Sequence, residues 1–341
     1  MPTKTLNEID LMKETDYNLK PMTDQEQCNN LRLFSGSSNR GLAESISKAL
    51  NIPLADITLS KFSCGENYAR VEDSIRGMDA YVIQSIGNSP NDDYMELFII
   101  MDALKRASTK RIHVIIPHFG YARQDKKSAP REPISSRLIS DLLSAVGFDR
   151  LITMDLHSDQ IQGFFNQPVD HLTAMPLFVD YFKKKNIDNL AVVAPDTGRA
   201  KVAKKYSDLL AADLVLLHKT RPKHNVAEIT NIVGDVEGKN LLIIDDLIDT
   251  AGSITSSVKT LKKYGCKDIY VAATHAVFSG PAIERLSTAG FKEVVVTDTI
   301  PLPEEKRFKD LTVLSTADIL AQAIIRNHNH KSISSLFIQK D

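Results

Sequence analysis

The chain has no tryptophan, three cysteines and only 6% aromatic residues in 341 positions. Cys28, Cys64 and Cys266 are odd in number and far apart, and no CxxC pair occurs. That argues against a disulfide framework or a cysteine-rich zinc site and fits a reducing, cytoplasmic setting. Neither charge sign is in excess, since 42 Lys plus Arg against 43 Asp plus Glu leave −1. Nothing steers the whole chain toward nucleic acid or an anionic membrane, and neither partner is expected. No apolar run approaches the roughly 20 residues that span a bilayer. G-x-G and HExxH are both absent, so the dinucleotide fingerprint and the common zinc-protease helix are missing. GDVEGKN (234–240) comes nearest to a P-loop. Its spacer is one residue short and Asn240 stands where Ser or Thr would bind magnesium, so it reads as a turn. Phosphate binding, if present, needs another cradle.

The length suggests two domains, against a usual size of roughly 100–200 residues. Residues 1–30 hold three Lys and six acids, with no Arg, no Ser and no apolar core. This polar N-terminal extension has neither a secretory nor a transit signature. From Leu31 onward, short β-branched runs alternate with helical patterns. Strands are expected at Ala80–Ser85, Ile112–Ile116, Leu151–Asp155, Leu190–Ala194, Leu214–His218, Leu241–Ile244, Ile269–Ala273 and Glu293–Thr297. Several are almost wholly apolar, as strands covered on both faces are. Between them, Ile134, Leu138, Leu142 and Val146 recur every four residues before Gly147. Ile254, Val258 and Leu261 form a second stripe before Gly265. The order predicts an α/β protein of two similar domains, 31–172 and 173–341, each with a mainly parallel sheet flanked by helices. Two faint echoes support this: 31–40 with 190–199, and 112–125 with 241–253.

IIDDLIDTAGS (243–253) is the most informative stretch. An apolar strand ends in Asp245 and Asp246, followed by Asp249, Thr250, Ala251, Gly252, Ser253 and a helix. Ligands of open α/β sheets bind at the carboxyl ends of strands. A small-residue loop opening a helix offers N–H groups and a positive dipole end to phosphate. Two carboxylates suit vicinal hydroxyls or magnesium. An ordinary N-cap with solvated acids is the plain alternative. DLHSDQIQGFFNQPVD (155–170) also follows a strand and sets Asp155 and His157 at its end. A His there can bind metal or phosphate, although a lone His is more often structural. APDTGRAK (194–201) reads as a helix start capped by Asp196 or Thr197. HKTRPKHN (218–225) reads as a basic loop in which Pro222 ends regularity.

Together these segments resemble the ribose-phosphate pyrophosphokinase family, over about residues 31–341. The segment 243–253 is similar to the phosphoribosyl pyrophosphate motif that this family shares with phosphoribosyltransferases. The stretch 155–170 fits the family signature across 16 residues and is not expected in an ordinary phosphoribosyltransferase. KFSCGE (61–66), PHFGYARQD (117–125), PREPIS (130–135) and SISSLF (332–337) add to the likeness. The resemblance implies that Asp245 and Asp246 meet ribose hydroxyls and that Thr250, Ala251, Gly252 and Ser253, with Asp249, hold the 5-phosphate. It implies ATP contacts from Phe62, Cys64, Glu66, Arg123 and Gln124, magnesium on His157 and Asp196, and a pyrophosphate loop of Thr197, Gly198 and Arg199. Lys219 and Arg221 would be catalytic, in a mobile loop. Ser74, Arg76, Ser108 and Arg131 match positions of a regulatory site in some relatives. Three departures stand out: many relatives carry Asp or Asn at Cys64, Gly at Arg199 and Thr at Ser253.

The implied reaction joins ATP and ribose 5-phosphate into phosphoribosyl pyrophosphate and AMP, with Mg2+ as cofactor and inorganic phosphate as activator. The implied assembly is a homo-oligomer, commonly a hexamer, in which a neighbouring subunit supplies the adenine loop. Two rivals stand beside this reading. One is a non-catalytic regulatory subunit of the same family. The other is a phosphoribosyltransferase, which has no reason to carry 61–66 or 155–170.

Overall fold

The computed structural model describes residues 30–223 and 226–336, with the backbone alone at 219–223, 226–230 and 335. Nearly all of the N-terminal extension therefore lies outside the described residues. The chain runs through one order of elements twice. The first pass is β1 (Leu31–Ser35), α1 (Arg40–Leu50), a hairpin of β2 (Ile57–Lys61) and β3 (Asn67–Val71), β4 (Asp79–Ile83), α2 (Pro90–Arg106), β5 (Arg111–Ile116), α3 (Ser135–Val146), β6 (Arg150–Met154), β7 (Val169–Leu172) and α4 (Met175–Lys185). The second is β8 (Leu190–Ala194), α5 (Ala200–Leu210), a hairpin of β9 (Asp213–Lys223) and β10 (Val226–Val233), β11 (Asn240–Ile248), α6 (Gly252–Lys263), β12 (Ile269–Ala276), α7 (Ala282–Thr288), β13 (Glu293–Thr297), β14 (Leu311–Leu314) and α8 (Ala317–His328).

The first sheet has the order β1-β4-β5-β6-β7 and is parallel throughout. The second has the order β10-β9-β8-β11-β12-β13-β14, with β10 antiparallel to β9 and every other pair parallel. Alternate residues of each strand enter different cores, which is why these strands read as unbroken apolar runs. Leu33, Tyr81 and Ile83 of the first sheet share a central core with Val192, Leu242 and Ala272 of the second. Helices α1, α4, α5 and α8 fill that middle layer through Ile46, Phe178, Tyr206 and Ile324. The outer face of the first sheet packs on α2 and α3, that of the second on α6 and α7. The result is five layers, helix–sheet–helix–sheet–helix.

Four expectations change. The strand expected to stop at Ile244 continues to Ile248, so Asp245 and Asp246 lie within β11 rather than after it. Pairing with β12 carries the strand on, whereas pairing with β8 stops at Ile243 and leaves that edge open. The basic segment expected as a loop after His218 is strand: β9 runs to Lys223 and pairs with β10 at Lys219, Thr220 and Lys223, with a break in register between Thr220 and Lys223, where Pro222 lies. Lys219 and Arg221 thus ride on a two-stranded ribbon beyond Leu216, the last residue of β9 paired with β8; their side chains lie outside the described residues. In α3 the row of Leu138 and Leu142 points outward, 56% and 42% exposed. The buried row is Ser136, Ile139, Ser140 and Leu143, and Ser140 Oγ donates to Ser136 O at 2.9 Å. Hydropathy does not see a buried serine such as Ser140, whose hydroxyl is satisfied inside its own helix. Finally, 31–40 and 190–199 do occupy matching places, β1–α1 and β8–α5. The second echo is out of step, because in the order of the two passes β11 corresponds to β4 and not to β5.

Candidate active site

Strand order reverses between β8 and β11, where one connection leads to β9 and the other to β12. A crevice outside the carboxyl ends of such a strand pair is where doubly wound sheets bind ligands. A cavity of about 350 Å³ lies there, lined by Asp155 after β6, His171 and Thr173 around the end of β7, Arg199 after β8, Asp245 and Asp246 of β11, and Thr274 of β12. A second cavity, about 490 Å³, lies along Asn88, Asn91, His118, Tyr121, Arg123 and Gln124 of the first half and Leu247, Asp249 and Ser279 of the second. Both therefore sit at strand carboxyl ends, and both draw on the two halves.

The loops that meet there hold unusual backbone. Tyr121, Asp155, Ala251 and Phe278 have φ of 64°, 38°, 59° and 48°, the left-handed region. Such conformations persist in side-chain-bearing residues only where the surroundings over-determine them, and they gather at functional sites. Gly120 is fixed by crowding, because a Cβ there would stand 2.4 Å from Ile86 Cγ2.

The acid pair carries most of the charge chemistry. Asp246 is 6% exposed. His157 Nδ1–H donates to Asp246 Oδ2 at 2.6 Å, and Arg199 Nη2 meets the same oxygen at 2.5 Å. Arg199 Nε lies 3.4 Å from Asp245 Oδ1, which also accepts the Asp246 N–H at 2.9 Å. Burial pushes the Asp246 carboxyl up, but the His157 hydrogen bond and the Arg199 charge outweigh it and hold the group below the usual carboxylate range. Burial and the adjacent Asp246 charge push Asp245 well above that range. Asp155 Oδ2 accepts from Ala174 N–H at 2.9 Å and Thr274 Oγ1 at 2.6 Å, which ties the ends of β6, β7 and β12 together.

The phosphate-loop candidates form a separate surface. Thr250 to Ser253 line neither cavity. Ala251 caps α6 in the left-handed conformation and no acid occupies the first turn. Arg285 Nη1 donates to Thr250 O at 2.9 Å and pins the loop. Asp249 turns instead to the second cavity, where Arg123 Nη2 meets its Oδ2 at 2.8 Å. Asp196 caps the turn Thr197–Arg199 by accepting the Arg199 N–H at 3.1 Å, so the capping role expected from sequence is real. Gln124 Oε1 accepts from Ser135 Oγ at 2.6 Å.

Two sets expected to act together are not gathered in one chain. Phe62, Cys64 and Glu66 occupy the tip of the β2–β3 hairpin, closed by Phe62 N–H on Glu66 O at 2.9 Å and by Gly65 at φ 94°. They line neither cavity, and Phe62 is 55% exposed. Of the four regulatory candidates, Ser108 O accepts the N–H of Gly77, next to Arg76, at 3.0 Å. Ser74 and Arg76 are exposed. Arg131 sits on the segment between β5 and α3, and no hydrogen bond or ion pair among the described residues joins it to the other three.

Sequence reasoning passed over His275, His171, Thr274 and Arg285. His275 is buried in β12; its Nε2–H donates to Met154 O (3.1 Å) and Asp155 O (3.2 Å), and Nδ1 accepts from Thr299 Oγ1 at 2.9 Å. Its ring packs 4.7 Å from that of His118 after β5. Burial drives both down, His275 to about 4 and His118 to about 3. Only their places at strand ends could have flagged them.

The donor set also tests the expected magnesium. Among the described residues no three His, Cys, Asp or Glu side chains converge on one point, so no all-protein cage is present. His157 gives its Nδ1–H to a carboxylate, which leaves Nε2 with the lone pair of a ligating imidazole. One imidazole near a carboxylate pair fits an ion that keeps its waters and arrives on substrate phosphates, as magnesium does.

Comparison with known proteins gives the family. Residues 31–147 match the family described as the N-terminal domain of ribose phosphate pyrophosphokinase, and 218–338 match the phosphoribosyl synthetase-associated domain. The chain is 48% identical over 311 residues to the ribose-phosphate pyrophosphokinase of Fusobacterium nucleatum subsp. nucleatum, covering 91% of this chain and 98% of that one. To the Bacillus subtilis protein of that name it is 46% identical over 316 residues, covering 93% and 100%. A crystal structure of phosphoribosylpyrophosphate synthetase from Mycobacterium smegmatis superposes with a TM-score of 0.84 at 46% identity, covering 88% of this chain and 99% of that one. The chain belongs to the ribose-phosphate pyrophosphokinase family and is an enzyme of that family.

Proposed function

We propose that the chain transfers the β,γ-diphosphoryl group of ATP to the C1 hydroxyl of ribose 5-phosphate, releasing AMP and phosphoribosyl pyrophosphate for nucleotide biosynthesis. The observation that carries this reading is the arrangement around β11: a buried acid pair at the switch point, His157 on one of its carboxylates, and an acid-free helix start a few residues on. The 5-phosphate sits on the N–H groups and dipole of α6 at Thr250–Ser253. Asp245 and Asp246 orient the ribose hydroxyls. The C1 oxygen attacks the β-phosphorus in line, its proton passes to solvent and the α-phosphate oxygen leaves with AMP, so that no covalent enzyme intermediate forms. Catalysis is alignment plus neutralisation of charge. Lys219 and Arg221 supply cationic donors to the transferred group from the β9–β10 ribbon, and Thr197, Gly198 and Arg199 face its pyrophosphate. His157 and Asp196 would hold Mg2+ together with the ATP phosphates, and the ion would supply screening of charge on the phosphoryl oxygens. No general base is assigned.

ATP lies toward Arg123 and Gln124, with Phe62, Cys64 and Glu66 of a second copy closing over the adenine. The exposure of that hairpin tip and of Leu138, Leu142 and Met95 supports a homo-oligomer, a hexamer in this reading. The proposal keeps a domain boundary at 172/173, phosphate activation through Ser74, Arg76, Ser108 and Arg131, and a cytoplasmic place for a chain in which no described helix can cross a membrane.

The test is AMP release from ATP by the purified protein in magnesium and phosphate buffer. AMP equal in amount to phosphoribosyl pyrophosphate, and formed only with ribose 5-phosphate present, is the expected result. No AMP from folded protein under varied phosphate would move the reading to a regulatory subunit.

A further inference from the structure

The acid pair already holds a cation, and the chain itself supplies it. Arg199 closes the turn Thr197–Arg199, and Asp196 fixes that turn through the Arg199 backbone N–H. From there the guanidinium crosses the gap between β8 and β11, with Nη2 on Asp246 Oδ2 at 2.5 Å and Nε 3.4 Å from Asp245 Oδ1. Its side chain is 18% exposed, so this is no loose surface contact. His157 takes the same Asp246 oxygen. An oxygen engaged by a guanidinium and an imidazole has little left to offer a third partner.

We infer that Arg199 is a resident counter-cation that the sugar hydroxyls, and a divalent ion arriving beside His157, must displace from Asp245 and Asp246, and that it thereby sets the affinity of the site for both. The inference rests on the ribose 5-phosphate reading given above. The two occupancies exclude each other at Asp246 Oδ2. Apparent affinity for an incoming ligand therefore falls by the fraction of molecules in which the fork is off. Arg199 is in this sense a positioning residue: it keeps the two carboxylates together without a metal and yields them when one arrives. A merely structural role predicts the opposite sign, because loosening the turn after β8 would weaken binding.

The experiment is calorimetric titration of the full-length protein, without nucleotide, first with Mn2+ alone and then with ribose 5-phosphate at fixed Mn2+. Wild type is compared with Arg199→Gly and Arg199→Gln. Arg199→Gln keeps the backbone turn and a side chain of similar reach, and decides the matter where Arg199→Gly does not fold. Both ligands should bind the variants about tenfold more tightly than wild type, a typical coupling between competing occupants. Equal or weaker binding in a variant that melts like wild type overturns the displacement while leaving the ribose 5-phosphate site intact. Absence of ribose 5-phosphate binding in all three proteins overturns the ribose 5-phosphate reading, and this inference falls with it.

Discussion

The two halves share one plan, yet they finish corresponding strands in opposite ways. After β4 the chain enters α2 with Pro90 at its start and Asp92 and Asp93 in its first turn. Asp93 Oδ2 accepts the Gly87 N–H at 2.8 Å. The positive end of α2 is thus neutralised from within, and an incoming anion would meet two carboxylates. After β11 the chain enters α6 with no acid in the first turn, a left-handed Ala251 and the Arg285 guanidinium on Thr250 O. The acids of this half lie before the helix, Asp245 and Asp246 within β11 and Asp249 just after it. One scaffold therefore gives a self-satisfied helix end in the first half and an anion-ready one in the second, and the difference lies in where the carboxylates were put. The hairpins diverge likewise: β2–β3 ends in the exposed Phe62, whereas β9–β10 carries Lys219 and Arg221.

That contrast can be broken hairpin by hairpin. Replacing Lys219 with alanine should lower kcat about 1,000-fold, the scale of losing a donor to developing charge. KM for ribose 5-phosphate should stay near wild type, since the sugar site belongs to another element. Unchanged turnover would remove the second hairpin from catalysis.

The seam between the halves gives the next largest effect. His118 and His275 approach ring to ring across it and are held neutral, at about 3 and about 4, against 6.5 unperturbed. Between about 6.5 and those values the unfolded chain binds more protons than the folded one, so stability falls as pH drops through this window. For His275 alone the loss by pH 5 is about 2 kcal/mol. Melting temperature should decline from pH 7 to pH 5, and a flat profile would contradict the buried, neutral pair.

Phe62→Ala should act least, raising KM for ATP about tenfold, within the usual worth of one stacked base, with kcat little changed. The effect sharpens the comparison when Arg123→Ala, in the cavity itself, adds to it independently. A Phe62→Ala enzyme with unaltered ATP dependence would detach the first hairpin from the nucleotide.

Much of this was legible in the sequence because buried parallel strands are long apolar runs, and β8 and β13 fall on the expected residues. The strands without such runs were not foreseen: β2 and β3 are half exposed, β10 is a sheet edge, and β7 and β14 have only four residues each. The acids, Thr250 and Ser253 were legible as a group because they are contiguous. The partners that give them meaning were not. His157 meets Asp246 from 89 residues away, and Arg199 crosses between strands that become neighbours only in the folded sheet. Periodicity misled in α3, where an outward apolar row is as regular as a core stripe.

On the function proposed above, α6 and not α2 receives the phosphate, because its first turn lacks a carboxylate. Ribose 5-phosphate binding to wild type, Ser253→Asp and Ser253→Asn tests this most directly, by titration in magnesium buffer. Like charges about 4 Å apart near a surface repel by about 4 kcal/mol, so Ser253→Asp should bind at least about 100-fold more weakly than wild type. The neutral Ser253→Asn, of nearly the same shape, should stay within about fivefold. Wild-type affinity in a folded Ser253→Asp protein would contradict the account and send the search for the phosphate to another strand end.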